Sequence, residues 1–142
     1  MTNDLYDKFV NGAAGREDLA ALCEKAKENS TVTDGLFKDS SAYGAFCGYL
    51  KDGDSKVRKN IAKLAGTVKA AELKEKLGAV LYEAYEAETT LFVRPVLLEA
   101  LISCGAVDYK SGLSKRLADL EKSQISEEDR KHISKELRLL LS

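Results

Sequence analysis

The sequence predicts an all-α fold built by repetition of helix pairs, an α-solenoid. Three observations predict it. Ala, Leu, Lys and Glu dominate the 142 residues, there is a single Pro, and no run alternates strictly between apolar and polar residues. Apolar residues recur at helical spacing in one segment after another. Three arginines, Arg58, Arg94 and Arg130, stand 36 residues apart, each is followed by an apolar helix, and an amphipathic segment lies between successive copies. A period of about 20 to 50 residues made of helix pairs marks units that bury their apolar faces only by stacking.

The elements follow in order. Thr2 or Asn3 caps a short first helix with Leu5, Tyr6 and Phe9 inward, stopped by Asn11-Gly12. A second helix covers 16–28, with Leu19, Leu22, Cys23 and Ala26 on one face. Residues 29–41, NSTVTDGLFKDSS, read as a loop around two anchors, Leu36 and Phe37. Residues 41–50 form a helix with Ala42, Phe46, Tyr49 and Leu50 inward. The next, about 55–68, aligns Val57, Ile61, Leu64, Ala65 and Val68 on a single face; a helix from about 71 to 86 does the same with Leu73, Leu77, Val80, Leu81 and Ala84. ETTLFVRPVLLEALISCG is apolar nearly all round, so its helix packs on more than one side. Pro95 belongs in its first turn, where the missing N–H has no partner to lose. A helix from about 111 to 122 buries Leu113, Leu117 and Leu120. The last opens with Ser126 and Asp129 in a capping pattern and turns Ile133, Leu137 and Leu140 inward.

One copy of the repeat carries a recognisable motif. LKDGDSKVRKNIAKLAG, residues 50–66, resembles a HEAT-type repeat of the short variety also found in phycobilin-lyase-related proteins. Leu50, Asp52, Asp54, Val57, Arg58, Ala62, Leu64 and Gly66 carry the match. The second copy keeps Glu88, Val93, Arg94, Ala100, Leu101 and Gly105 but places Pro95 after the arginine. The third keeps Arg130 and a leucine ladder. The resemblance implies a right-handed α-α superhelix, a HEAT-like solenoid of about three helix pairs. It divides one domain, 1–142, into an N-terminal helical cap at 1–39 and repeats at 40–68, 71–105 and 111–141. It also implies that Arg58, Arg94 and Arg130 form a structural ladder, Arg58 pairing with acids such as Asp54 or Glu88. A guanidinium suits that role because its planar fork grips a carboxylate with two bonds.

Composition excludes several functions. Net charge is -1, so no overall basic field draws nucleic acid. No apolar run approaches the roughly 18 residues of a membrane span, and MTNDLYDKFV is no signal peptide. Cys23, Cys47 and Cys104 are scattered, without a CxxC pair, as expected of buried reduced thiols in a cytoplasmic protein. One histidine, His132, and three scattered cysteines give no zinc spacing; no Gly-rich phosphate loop is present. Glu83 and Glu86, one turn apart, read as a solvated face, and Tyr82 and Tyr85 as core packing. No catalytic residues, metal or cofactor are expected.

The remaining candidate is a basic stripe. Lys56, Lys59, Asn60 and Lys63 lie opposite the apolar face of their helix, and Lys131 and Lys135 extend the pattern downstream. The HEAT resemblance puts such second helices on the concave surface and implies a non-enzymatic scaffold whose partner is another protein. RNA is the alternative partner, for the segments LYEAYEAETTLFVRPVLLEAL and EEDRKHISKELRLLLS are similar to the helical N-terminal region of bacterial RNA methyltransferase-type proteins. In that case the chain would be an accessory, substrate-holding region of a larger enzyme. The lyase-related likeness would imply chromophore handling in a groove, which needs more repeats than this chain has.

Overall fold

The structure is a computed structural model describing residues 3–29, 31–105 and 110–141. Those residues form nine helices and no strand: α1 (Asn3–Val10), α2 (Arg16–Glu28), α3 (Thr31–Lys38), α4 (Ser40–Tyr49), α5 (Ser55–Ala65), α6 (Ala71–Ala87), α7 (Arg94–Ser103), α8 (Lys110–Lys122) and α9 (Glu127–Leu141). None is long and apolar enough to cross a membrane.

Helix ends follow local chemistry. Asp54 caps α5 by accepting the Lys56 N–H, and Asp39 caps α4 through Ser41. Gly12 and Gly105 take positive φ, 75° and 76°, just past the ends of α1 and α7, where a Cβ would be strained. Pro95 lies in the first turn of α7.

Packing follows a simple order. α2 packs against α5, α5 against α7, and α7 against α9. Of the other helices, α1 and α3 pack on α4, α6 on α7, and α8 on α9. α5 meets α7 at its C-cap residue, Gly66, which lies against Ala100. A Cβ there would stand 3.5 Å from the Ala100 Cα, and Ser103 Oγ donates to the Gly66 carbonyl at 2.8 Å. The core runs through all these layers. Phe9, Phe37, Phe46, Ile61, Leu64, Leu77, Leu81 and Leu97 are essentially solvent-free.

Three sequence expectations change. Residues 31–38 form a helix, not a loop. Leu36 and Phe37 anchor it as expected, but Thr33 is buried too, its hydroxyl 2.7 Å from that of Thr67, and Asp34 accepts the Lys69 and Ala70 N–H groups before α6. Tertiary contacts thus overrode a turn-like composition of Asn, Ser, Thr, Asp and Gly. Tyr6 and Leu120, expected inside, are instead 37% and 38% exposed. Cys47 is half-buried, whereas Cys23 and Cys104 are buried as expected. The side chains of Leu113 and Leu140 lie outside the described residues.

Tyr49 fastens the N-terminal helix. Its hydroxyl accepts the Ala14 N–H at 3.1 Å and donates to the Phe9 carbonyl at 2.8 Å, in the core. Tyr49→Phe is therefore expected to lower stability by about 1–3 kcal/mol, because it strands a buried N–H. Urea unfolding followed by circular dichroism checks this.

Candidate functional site

The arginines that set the sequence period each use the guanidinium in three or four hydrogen bonds. Arg58, four residues into α5, spends its whole guanidinium. Nε and Nη2 donate to the two Glu88 carboxylate oxygens at 2.9 and 3.0 Å, Nη2 reaches Thr90 Oγ1, and Nη1 donates to the Asp52 carbonyl at 2.7 Å. The contact joins the loop before α5 to the loop after α6. Glu88 also accepts the Thr90 N–H. Its side chain is 5% exposed and that of Arg58 17%. Burial pushes the Glu88 carboxyl up, but the bonds from Arg58 and Thr90 outweigh it and hold it below the ordinary carboxylate value.

Arg94 repeats the arrangement with a different acid. Nη1 donates to the Glu88 carbonyl, six residues upstream, as Arg58 does to Asp52. Nε and Nη2 reach Glu136 of α9 at 3.1 and 3.2 Å. The Tyr85 hydroxyl donates to the same carboxylate, and the guanidinium sits 4.8 Å from the Tyr85 ring centre. Glu136 is fully buried. Burial, then Glu136, push the Tyr85 hydroxyl well above its ordinary pKa. Among the described residues no buried side-chain N or O lacks a hydrogen-bond partner, so this ionic interior is satisfied.

The third arginine does something else. Arg130 donates to the Glu121 and Ser123 carbonyls and pairs with Glu127 on its own helix. It closes the α8–α9 turn and bridges to no further helix pair. Instead, a residue the period had not included joins the series. Arg16, opening α2, donates to Asp54 Oδ2 at 2.8 Å, and Asn60 Nδ2 bonds the Arg16 carbonyl. Arg16 lies 42 residues before Arg58, off the 36-residue spacing. The signal that could have found it is its own position, an arginine directly at a helix start.

The basic-stripe residues do not form one continuous track. Lys56, Lys59, Asn60 and Lys63 lie on α5, and Lys131 and Lys135 on α9; α7 lies between the two helices. Val96 and Glu99 of α7 share an open groove of about 380 Å³ with Asn60 and Lys63, and Ala20, Glu24 and Lys27 of α2 close its other side. Phe92, two residues before α7, is 43% exposed. The interrupting surface is thus apolar and acidic, where a phosphate track needs uninterrupted cations.

A larger cavity, about 560 Å³, opens on the opposite side between the end of α4 and α6, lined by Cys47, Leu50, Val80 and Ala84. Its polar lining holds Arg58 and Glu88, which already satisfy each other, with Lys51, Asp52 and Glu83 beside them. Among the described residues no group of three or more His, Cys, Asp or Glu side chains could hold a metal ion. Burial raises the Cys23 and Cys104 thiols, the latter to about 11, which keeps both protonated and poor as nucleophiles. His132 is half-buried on α9. Glu83 and Glu86 are exposed and Tyr85 is core, as the sequence suggests. Comparison with protein-family models, with curated proteins and with solved structures finds no match.

Two outcomes follow from the clamps. Glu88→Gln is expected to cost about 3 kcal/mol, against less than about 1 kcal/mol for Arg16→Ala, whose ion pair is half exposed. Because the Glu88 pKa is depressed in the fold, its contribution is present above the ordinary carboxylate value and is lost as pH falls through the folded value. The urea midpoint should therefore drop as pH falls below the ordinary carboxylate value, and drop less in Glu88→Gln.

Proposed function

We propose that the chain is a HEAT-like helical scaffold, a right-handed stack of helix pairs that binds another protein along the outward face of α2, α5, α7 and α9 and performs no chemistry itself. One observation carries this reading. The four helices pack in chain order, and arginines at the starts of α2, α5 and α7 each reach an acid of a later helix or its flanking loop. Inter-repeat clamps of this kind leave the outward side chains free of structural duty. A rigid, pre-formed face also limits the ordering entropy lost on association.

The charge pattern favours protein over RNA. The cations of α5 and α9 are separated by Val96 and Glu99, and the groove carries the Glu24–Lys27 pair as well. Such a mosaic suits a protein surface, where complementary charges set register and partner choice.

The test is capture on the immobilised protein with and without nuclease, comparing the unmodified chain with two double variants. Lys63→Ala with Glu99→Ala alters the proposed face; Glu72→Ala with Glu75→Ala alters exposed positions on α6. Nuclease-resistant protein recovery, lost only with the first variant, is the expected result. Salt-sensitive recovery of RNA alone, or loss only with the α6 variant, would overturn the reading.

A further inference from the structure

α4 and α6 border one cavity without packing as a pair. Among the described residues α4 packs on α1, α3 and α5, and α6 packs on α7 and α3. α3 fills the space beside the start of α6, where Asp34 accepts the Lys69 and Ala70 N–H groups. Farther along, Lys76 of α6 holds its ammonium 3.8 Å from the centre of the Tyr43 ring of α4. Beyond that bridge the two helices part around the cavity of about 560 Å³. One turn on from Tyr43 and Lys76, Cys47 and Val80 line it; a further turn on, Leu50 and Ala84 do. The Arg58–Glu88 clamp lies at the far end. The cavity is thus an apolar slot whose two ends are fixed by bonded side chains. Its volume falls within the roughly 300–1,000 Å³ of small-molecule sites. Cys47, Val80 and Ala84 are only half-buried, so an apolar occupant gains by covering them.

Charge decides which occupant fits. The slot is lined by two cations, Lys51 and Arg58, against three carboxylates, Asp52, Glu83 and Glu88, a net of -1. Arg58 is spent on Glu88, Thr90 and the Asp52 carbonyl. Lys51, Asp52 and Glu83 form no ion pair with another described residue. An apolar anion would meet the uncompensated carboxylate charge and find no free guanidinium, whereas an ammonium is attracted by it. A metal ion would leave the apolar walls wet, and among the described residues no group of three or more His, Cys, Asp or Glu could hold one.

We infer that the slot between α4 and α6 binds a small organic cation, an aliphatic ammonium whose hydrocarbon lies against Leu50, Val80 and Ala84 and whose charge faces Asp52 and Glu83. The slot lies on the opposite side of the stack from the protein-binding face and does not depend on that reading.

Cys47 supplies the readout. It lines the slot and is half-buried, whereas Cys23 and Cys104 are buried and their thiols are raised by that burial. The experiment follows alkylation of each cysteine of the full chain by iodoacetamide, using peptide mass spectrometry at constant pH and ionic strength. Hexylammonium, 1-hexanol and hexanoate are titrated as probes. The expected result is saturable slowing at Cys47 alone, with hexylammonium acting at about tenfold lower concentration than hexanoate and hexanol between them. In Glu83→Gln, an exposed position whose folding is checked by circular dichroism, the hexylammonium midpoint should rise about threefold or more. No slowing by hexylammonium, equal midpoints for the three probes, a preference for hexanoate, or a midpoint unchanged in Glu83→Gln would each overturn the inference. Parallel slowing at Cys104 would show an effect on the whole chain and would overturn it equally.

Discussion

The clamp between Arg58 and Glu88 is the contact on which the rest of this fold depends. It brings Asp52 of one loop and Glu88 of another together and holds them with four hydrogen bonds from one guanidinium. A carboxylate so nearly buried would be untenable without it, and a guanidinium with only one partner would gain little. The pairing also sets direction. Asp52 supplies a carbonyl from the loop before α5, and Glu88 a carboxylate from the loop after α6, so α5 cannot slide against α6 and α7 without breaking several bonds together. Apolar packing alone is non-directional and would tolerate such slippage.

The second clamp shows how the same device adapts. The frame position matching Glu88 one repeat later is Gln124, exposed and uncharged. Arg94 therefore turns to Glu136 inside α9, and Tyr85 joins to satisfy the carboxylate. The series ends at Arg130, whose partners all lie in α8, α9 and the turn between them. Stability and specificity are thus divided: Leu, Ile and Phe layers supply the driving force, while buried ion pairs select one arrangement of the layers.

Much of this is legible in residue order, and the misses have physical reasons. Helices with a clean apolar stripe, such as Val57–Ile61–Leu64, can be read because 3.6-residue periodicity has no other outlet. The likeness around residues 50–66 leaves Arg58 two acids, Asp54 and Glu88; in the fold it takes Glu88, because Asp54 caps α5 and pairs with Arg16. α3 cannot be read this way, since Thr33 and Asp34 find their partners only after residues 67–70 arrive in space. Glu136 looks like any exposed helical glutamate until Arg94 and Tyr85 surround it. Read along the chain, Lys56, Lys59 and Lys63 resemble one basic stripe with Lys131 and Lys135; only the packing order reveals α7 between them.

The central claim is that Arg58 and Glu88 act as one unit. A double-mutant cycle on equilibrium unfolding, with Arg58→Met, Glu88→Gln and the pair together, measures this most directly. The expected coupling is at least about 1 kcal/mol, the double variant being clearly more stable than the sum of the single losses implies. Additive losses would show that the two side chains contribute separately, and would contradict the account of a clamp that joins the helix pairs.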